Sequence, residues 1–308
     1  MLPLFRFAEQ SGGGKIPRLF YIMEKAIKKA DVLIEALPYI KSYSGKIFVI
    51  KYGGSALVNP DIKKGVLQDI VFMSYVGIRP VLVHGGGPFI NEEFRRLGKK
   101  VEFSEGLRVT TKEEVKIVDS VLSRVNESIV ADIKALGGRA VSMNTSKKNV
   151  ILARPHEESS RLGFVGDIDK VNADIIRNAV RPRAIPVISP VSAGGDKEFY
   201  NINADDVASE IAMALKAVKL VLLTDVKGIM RHKGDESTLI STLAMKDADI
   251  LIKRKIIQSG MIPKVKACMS ALSAGVSKTH IIDGRIPHSL LLEIFTDKGI
   301  GTEIVKDK

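Results

Sequence analysis

Short apolar runs recur along this chain, and longer segments with helical periodicity separate them. The runs are 47–50 (IFVI), 80–83 (PVLV), 184–189 (AIPVIS), 219–224 (KLVLLT) and 279–283 (THIID). Runs of this length are typical of strands buried on both faces. The segments between them have the length and amphipathic pattern of helices, notably 61–76, 111–136, 203–217 and 261–276. The sequence therefore predicts an α/β fold, an open αβα sandwich with a mainly parallel central sheet.

Two regions depart from this alternation and are predicted to form small hairpins over one edge of the sheet, at 149–169 and 196–202.

The chain has 308 residues, 45% of them hydrophobic, which is enough for one large domain or two lobes. Its one cysteine, Cys268, excludes an internal disulfide and suits a reducing compartment. No apolar run approaches the ~18 residues of a membrane span. We therefore expect a cytoplasmic protein without a membrane partner.

The net charge of +12 raises the question of nucleic-acid binding. The basic residues, however, are spread among 35 acidic ones and do not interleave with aromatic residues. This pattern favours solvated helix faces and a basic cleft for small anions over a nucleic-acid partner.

The N-terminal region has an amphipathic pattern over residues 19–37, and Pro38 is expected to end that helix. The helix could fold back on its own domain or contact another molecule. Residues 1–18 are expected to form a flexible leader.

Glycine-bearing loops follow three of the predicted strands: KYGGS after 47–50, HGGGP after 80–83 and TDVKG after 219–223. In open α/β sheets, ligands bind beyond the carboxyl ends of the strands, where glycine lets backbone N–H groups approach an anion. HGGGP matches neither a Walker loop nor the Rossmann fingerprint, and it could also be a simple tight turn.

Two lysines and one aspartate accompany these loops. Lys51 directly follows the first strand, and Lys264 lies early in the helix predicted over 261–276. Asp205, in NINADD, stands at a predicted helix start and could hold both ammonium groups in place. Two lysines beside a glycine loop suit phosphoryl transfer, where the enzyme positions the reactants and neutralises developing charge. The alternative for each lysine is an ordinary surface charge.

Six motifs occur in the order and approximate spacing of a known family: KYGGSA, VHGGGP, EGLRVT, NINADD, LLTDVKGI and GMIPKVKA. From about residue 19 onward the chain thus resembles the amino acid kinase family. The resemblance implies phosphorylation of the γ-carboxylate of N-acetyl-L-glutamate by ATP with Mg²⁺, the second step of arginine biosynthesis. It also implies a kinase domain over 43–308, with a substrate lobe at about 43–215 and a nucleotide lobe at about 216–308, preceded by an oligomerisation helix at 19–42.

By this resemblance, Lys51 and Lys264 are the transition-state lysines and Asp205 organises them. The residues assigned to the acceptor are Gly86, Gly87, Arg108 and Asn201. The residues assigned to ATP are Gly53, Gly54, Thr224, Asp225, Val226, Lys227, Gly228, Ile229, Met230, Ile256, Gly260 and Met261. No metal-ligating residue is predicted, because phosphates and waters would hold the Mg²⁺. A carboxylate acceptor needs no proton removed, so His84 is expected to be structural.

Members of the family that arginine inhibits carry such an N-terminal helix, exchanged between dimers in a hexamer, a trimer of dimers. The resemblance extends to this subgroup, with allosteric arginine contacts at Tyr21, Lys219, His280, Glu293 and Gly299. Phe89 and Ser55 depart from the family pattern beside the expected site. Two alternatives stay open: a related kinase acting on aspartate, glutamate or carrier-linked aminoadipate, and a non-catalytic arginine sensor.

Overall fold

The computed structural model of the chain describes residues 18–181, 183–232, 234–258, 260–296 and 299–307. The helices are α1 Arg18–Tyr43, α2 Pro60–Tyr75, α3 Gly87–Arg96, α4 Lys112–Ala135, α5 Thr145–Lys148, α6 Ser159–Leu162, α7 Ala173–Val180, α8 Ala204–Leu215, α9 Met245–Lys253, α10 Met261–Ser273 and α11 Ser289–Ile294. The strands are β1 Ile47–Tyr52, β2 Arg79–His84, β3 Phe103–Ser104, β4 Leu107–Arg108, β5 Ala140–Met143, β6 Ile151–Pro155, β7 Gly166–Val171, β8 Ile185–Ile188, β9 Val191–Ala193, β10 Phe199–Asn201, β11 Lys219–Thr224, β12 Thr242–Ala244, β13 Lys278–Asp283 and β14 Thr302–Val305.

Eight strands form the central sheet in the order β12-β14-β13-β11-β1-β2-β8-β5. Every neighbouring pair is parallel except β13 and β14, which are antiparallel. All five strands predicted from apolar runs belong to this sheet, so the mainly parallel α/β fold is confirmed. The first strand, β1, lies between β2 and β11, with Lys51 opposite Val83 on one side and Leu222 on the other. The carboxyl ends of these three strands therefore meet at one edge.

Helices cover both faces of the sheet, because successive side chains of a strand point to opposite faces. Helices α7, α8 and α10 pack on one face, and α2, α4 and α11 pack against strands from the other. The larger core cluster joins sheet residues such as Val49 and Leu222 to Ile211 of α8 and Val265 of α10. Cys268 is fully buried in the same cluster.

In the part of the chain that the structure describes, three antiparallel hairpins lie outside the central sheet: β3 with β4, β6 with β7, and β9 with β10. The second and third correspond to the hairpins predicted at 149–169 and 196–202. The edge strands β5 and β12, and β14 next to β12, were not predicted. They are three or four residues long, and β12 and β14 each include threonine, so they carry little apolar signal.

Helix α1 continues through Pro38 to Tyr43, so the prediction that Pro38 ends the helix was wrong. Proline removes one backbone N–H, whose partner in a regular helix is the carbonyl four residues earlier. That residue is Ile34, which is 68% exposed, so water can satisfy the carbonyl. The predicted leader, 1–18, lies outside the described residues except for Arg18. The chain divides into two compact units, one up to Ser42 and the other over Tyr43–Lys308.

Across the described ranges, no helix combines the length and apolar character that crossing a membrane requires.

Candidate active site

Lys51, Asp205 and Lys264 converge at the edge where β1 ends. Lys51 Nζ lies 3.0 Å from Asp205 Oδ1, and Lys264 Nζ lies 2.6 Å from Asp205 Oδ2. Lys51 is buried in β1, and the Asp205 side chain is 6% exposed. The three residues are far apart in sequence, and each comes from a different element. One carboxylate therefore contacts two ammonium groups.

The start of α8 positions the carboxylate. Asn203 is the N-cap residue, and its Oδ1 accepts a hydrogen bond of 2.8 Å from the backbone N–H of Asp205. Asp205 thus occupies the first turn of α8, where the helix dipole favours a negative charge.

Burial and charge act in opposite directions on this group. Burial works to raise the pKa of Asp205, but Lys51 and Lys264 outweigh it and hold the pKa at about 2. Burial also lowers the pKa of Lys51, and the nearby Asp205 carboxylate counters that effect. At neutral pH Asp205 is ionised, which is the state that can orient both lysines.

The first two glycine loops contact each other beside Lys51. The backbone N–H of Gly85 donates a 2.8 Å hydrogen bond to the carbonyl of Tyr52. A Cβ added at Gly53 would lie 3.3 Å from Lys51 Nζ and 3.5 Å from the Cα of Gly85. Gly54 follows in a single 3₁₀ turn, Gly54–Leu57. A side chain at Gly53 would therefore crowd the ammonium group of Lys51 and the backbone of the second loop.

The second loop opens α3. Gly86 is the N-cap residue and Gly87 the first residue of the helix, whose N–H groups have no intrahelical partner. A Cβ at Gly86 would overlap Leu122 Cδ2, so a larger residue here would force Leu122 of α4 to shift. A loop of this kind can present backbone N–H groups and a positive helix end to an anion.

His84, at the end of β2, is fully buried and supports this loop. Its Nδ1–H donates to the carbonyl of Gly85 at 2.9 Å, and its Nε2 accepts from Asn126 Nδ2 at 3.1 Å. Burial lowers the pKa of His84 to about 4. The imidazole is therefore neutral at pH 7 and holds the loop, in agreement with the structural role expected from the sequence.

Arg108, in β4, is buried but lacks a carboxylate partner within ion-pair distance among the described residues. Its Nη2 donates to Asn91 Oδ1 at 2.5 Å. Its guanidinium carbon lies 5.4 Å from the ring centre of Phe94 and 4.8 Å from that of Phe103. Nη1 is buried without a hydrogen-bond partner in the described part of the chain. Such a cation is suited to an incoming carboxylate.

Asn201 ends β10 and is connected to Arg108 through Thr110. Asn201 Nδ2 donates to Thr110 Oγ1 at 3.4 Å, and Thr110 Oγ1 donates to the carbonyl of Arg108 at 2.8 Å. Asn201 also precedes Asp205 by only four residues. The short segment 201–205 therefore connects the predicted acceptor residues Asn201 and Arg108 with Asp205, which pairs with both lysines.

The predicted nucleotide residues after β11 form an ordered turn. Thr224 Oγ1 accepts from the N–H of Val226 at 2.9 Å, whereas Asp225 is exposed. Gly228 has φ +144°, and a Cβ there would lie 2.6 Å from Thr302 Oγ1, so the position requires glycine. Thr302 Oγ1 also accepts from the N–H of Ile229 at 2.8 Å.

The remaining predicted nucleotide residues lie around this turn and before α10. Lys227 pairs with Glu236 at 2.5 Å, and Met230 forms an antiparallel bridge with Leu239. Ile256 and Met261 pack against the main core as half-buried side chains, and exposed Gly260 immediately precedes α10.

Three of the five residues predicted to bind arginine form one buried network, and Gly299 lies beside it. Lys219 Nζ donates to His280 Nε2 at 3.1 Å, and His280 Nδ1–H donates to Glu293 Oε1 at 2.7 Å. Glu293 Oε2 accepts from the N–H of Ile300 at 2.7 Å and from that of Gly301. A Cβ at Gly299 would lie 2.8 Å from Glu293 Oε2. Tyr21 lies on α1, and its side chain is outside the described residues.

Burial lowers the pKa of Lys219 to about 8 and also lowers the pKa of His280. Burial works to raise the pKa of Glu293, but the hydrogen bonds from His280 and from the backbone outweigh it and lower that pKa. The network thus contains an ionised carboxylate next to a neutral imidazole.

Sequence reasoning did not identify Asn91, Asn126 or Thr302, whose hydrogen bonds hold Arg108, His84 and the backbone of Ile229 in place. Each is a single polar residue within an ordinary helix or strand, so only its position in the fold reveals its contacts.

Comparison with known proteins places these motifs in context. A model of the amino acid kinase family matches residues 46–283. An acetylglutamate kinase of Desulforamulus reducens is 52% identical over 287 residues, covering 92% of this chain and 100% of that protein. An acetylglutamate kinase of Heliobacterium modesticaldum is 50% identical over 295 residues, with the same coverage of the two chains.

Solved structures agree with the fold. An N-acetylglutamate synthase from Neisseria gonorrhoeae, complexed with coenzyme A and N-acetyl-glutamate, aligns with a TM-score of 0.81 and 28% identity. The alignment covers 91% of this chain but only 64% of the synthase. Carbamate kinase from Giardia lamblia bound to AMP-PNP aligns with a TM-score of 0.65 at 17% identity, covering 86% of this chain and 100% of the kinase, which supports the fold alone.

Proposed function

The chain belongs to the amino acid kinase family and, within it, to the acetylglutamate kinases, and from this premise we propose that it transfers the γ-phosphoryl group of ATP to the γ-carboxylate of N-acetyl-L-glutamate. This reaction is the second step of arginine biosynthesis, and we place it in the cytoplasm. The observation that carries the proposal is the Asp205 carboxylate, which lies within 3.0 Å of two ammonium groups at the carboxyl end of β1.

In the proposed reaction an acceptor carboxylate oxygen attacks the γ-phosphorus, and the bond from that phosphorus to the bridging oxygen breaks. The products are an acyl phosphate and ADP. Lys51 and Lys264 neutralise the charge on the transferring group, and Asp205 keeps their ammonium groups oriented. Because the acceptor is already ionised, no general base is needed, and both ring nitrogens of His84 are already engaged by Gly85 and Asn126.

The acceptor is proposed to bind between the second glycine loop and Arg108. The N–H groups of Gly86 and Gly87 would bind the reacting carboxylate, and Arg108 would bind the α-carboxylate, assisted by Asn201. Nη1 of Arg108 finds no partner within the described ranges, and this supports the role, because a buried guanidinium N–H needs an acceptor.

ATP is proposed to bind with its phosphates at Gly53 and Gly54. Its nucleoside would bind at the turn 224–230 and at Ile256, Gly260 and Met261. Mg²⁺ would supply further neutralisation of the phosphate charge. Both oxygens of Asp205 face ammonium groups, so this carboxylate is committed to the lysines, and phosphates and waters remain as the metal's ligands.

An assay of ADP release tests the acceptor. N-acetyl-L-glutamate, L-glutamate, L-aspartate and an aminoadipate linked to its carrier should be compared at equal concentration with MgATP. We expect turnover with the acetylated substrate at least tenfold above the others. Turnover of free glutamate or aspartate, with none of N-acetyl-L-glutamate, would replace the proposal with that of a relative having another acceptor.

We further propose that arginine inhibits the enzyme by binding at the network of Lys219, His280 and Glu293, with Tyr21 and Gly299 as additional contacts. The support is chemical, because an ionised, buried carboxylate suits a guanidinium. Inhibition by arginine should be lost in Glu293→Gln while turnover in its absence persists. If titration calorimetry shows arginine binding but no ADP is released with any acceptor, the chain is an arginine sensor instead.

A further inference from the structure

We propose that Asn91 is a positioning residue for Arg108, and that its neutrality keeps the guanidinium charge free for the acceptor's α-carboxylate. The inference rests on the proposed function and extends it to a residue that the sequence motifs did not single out.

The contact is directional. Every polar hydrogen of a guanidinium is a donor, so the amide of Asn91 must present its oxygen to Arg108. The oxygen lies 2.5 Å from Nη2. Asn91 stands on α3, four residues after Gly87, which begins that helix. The helix that carries the glycine loop thus also fixes Arg108, so the two proposed ends of the acceptor site are set by one rigid element.

Among the described residues, no carboxylate lies within ion-pair distance of Arg108. Burial lowers the pKa of its guanidinium, and Glu114 on α4 counters that effect through space without pairing with it. Phe94 and Phe103 lie near its guanidinium at 5.4 and 4.8 Å, and Nη1 is buried without a partner among the described residues. Several other arginines of the chain pair with a carboxylate close in sequence, namely Arg96, Arg161, Arg177 and Arg285. Arg108 is held in place by an amide and two rings, which fix its orientation without neutralising it.

An aspartate at position 91 should reverse this effect. Asp has nearly the same shape as Asn but places a carboxylate at the oxygen that contacts Nη2. It would pair with Arg108 and compete with the substrate carboxylate. Because hydrogen bonds to charged groups are stronger than neutral ones, we expect Asn91→Asp to raise the KM for N-acetyl-L-glutamate by about ten- to a hundredfold. The KM for ATP should change less than about threefold, and kcat at saturating acceptor should be largely retained. Asn91→Ala, which removes the support without adding charge, should raise the acceptor KM less than Asn91→Asp.

The control for the substitution itself is Asn178→Asp, at an exposed position on α7. It should leave both KM values unchanged.

The test of mechanism compares Arg108→Ala with the double variant Arg108→Ala/Asn91→Asp. If Asn91 acts through Arg108, the second substitution should cause no further loss of kcat/KM for the acceptor, and thermal unfolding should show that all variants are folded.

The outcomes separate the two ideas. An unchanged acceptor KM in Asn91→Asp, or an equal loss in the presence and absence of Arg108, would overturn the positioning role while leaving the proposed function intact. Absence of turnover of N-acetyl-L-glutamate by the unsubstituted protein would instead overturn the proposed function.

Discussion

Burial and two ammonium groups act in opposite directions on the Asp205 carboxyl, and the ammonium groups dominate. The result is a site with one fixed negative charge and two positive ones, which leaves a net positive charge for a phosphoryl group. The same reasoning distinguishes Arg108, which is held by neutral contacts. At this scale the chemistry depends on which cations already have a counter-ion and which do not.

Replacing Lys264 with alanine should lower kcat by about a hundredfold or more, because its charge is proposed to act on the transferring group. The KM values should change much less. Lys266, exposed on the same helix, provides the control, since Lys266→Ala should leave kcat near that of the unsubstituted enzyme. Steady-state assays give both constants. A Lys264→Ala variant that only raised KM would assign the lysine to binding.

Replacing Arg108 with alanine should have the opposite pattern. The acceptor KM should rise by about a hundredfold, because a charged partner of the α-carboxylate is lost, with a smaller change in kcat. The KM for ATP is the internal reference. Equal increases in both KM values would indicate general damage to the site.

Asp205 should make the free energy of unfolding depend on pH. Its pKa is 3.8 as a free side chain and about 2 in the fold. Because the folded value is the lower one, its ionised form stabilises the fold above pH 3.8, by roughly 2 kcal/mol, and this is lost as the pH falls through about 2. In urea unfolding, the stability difference between the unsubstituted protein and Asp205→Asn should therefore shrink as the pH falls. The control variant is Asp249→Asn, at an exposed position on α9. A difference that stays constant between pH 7 and pH 3 would contradict the ion-pair account.

At the scale of elements, the glycine loop after β2 depends on its packing against α4 as well as on backbone freedom. Gly86 has φ −176°, an extended conformation open to any residue. What excludes a side chain there is Leu122, which is 1% exposed and cannot readily move. His84 fixes the loop from the strand side. The loop is therefore held between a helix and a buried imidazole.

Gly86→Ala should lower the free energy of unfolding by roughly 1–3 kcal/mol, the usual cost of overpacking. A second substitution, Leu122→Ala, removes the clashing methyl groups, so the effect of Gly86→Ala should be smaller in that background. Gly87→Ala is the matched control, because a Cβ at Gly87 meets no atom within 4 Å. Denaturant unfolding of the unsubstituted protein, Gly86→Ala, Leu122→Ala and the double variant forms a double-mutant cycle. Strict additivity would show that Leu122 is not the obstacle.

Much of this arrangement was predictable from the sequence, because its signals are local. Buried parallel strands appear as continuous apolar runs, and their carboxyl ends meet at one edge, so Lys51 could be placed near the glycine loops. The short outer strands could not be predicted, since strands such as Thr242–Ala244 owe their conformation to partners distant in sequence. The same holds for Asn91, whose role depends on Arg108 reaching it from a hairpin.

At the scale of the whole molecule, α1 has more apolar surface than a helix in solvent needs. Leu33, Ile34 and Leu37, which lie on one side of the helix, are 67%, 68% and 41% exposed. We propose that this surface is covered by helix exchange between dimers, giving a hexamer that forms a trimer of dimers. An amphipathic helix with such a face is a typical element of association.

Deleting residues 1–40 should leave active dimers that arginine no longer inhibits. Light scattering should report the smaller assembly, and the ADP-release assay should show turnover that is insensitive to arginine. Substituting Leu33 and Ile34 together with serine in the full chain should weaken assembly in the same direction. A hexamer that persists after the deletion would exclude α1 as the connecting element.

The position of β1 in the middle of the sheet has a consequence for biosynthesis. The two neighbours of β1 lie at different distances along the chain: β2 begins at Arg79, whereas β11 begins only at Lys219, so one edge of β1 has no partner until most of the chain has been made. An open apolar edge can pair with the edges of other nascent chains. Folding of this protein in the cell should therefore depend on factors that shield the first half of the polypeptide while the ribosome completes the second.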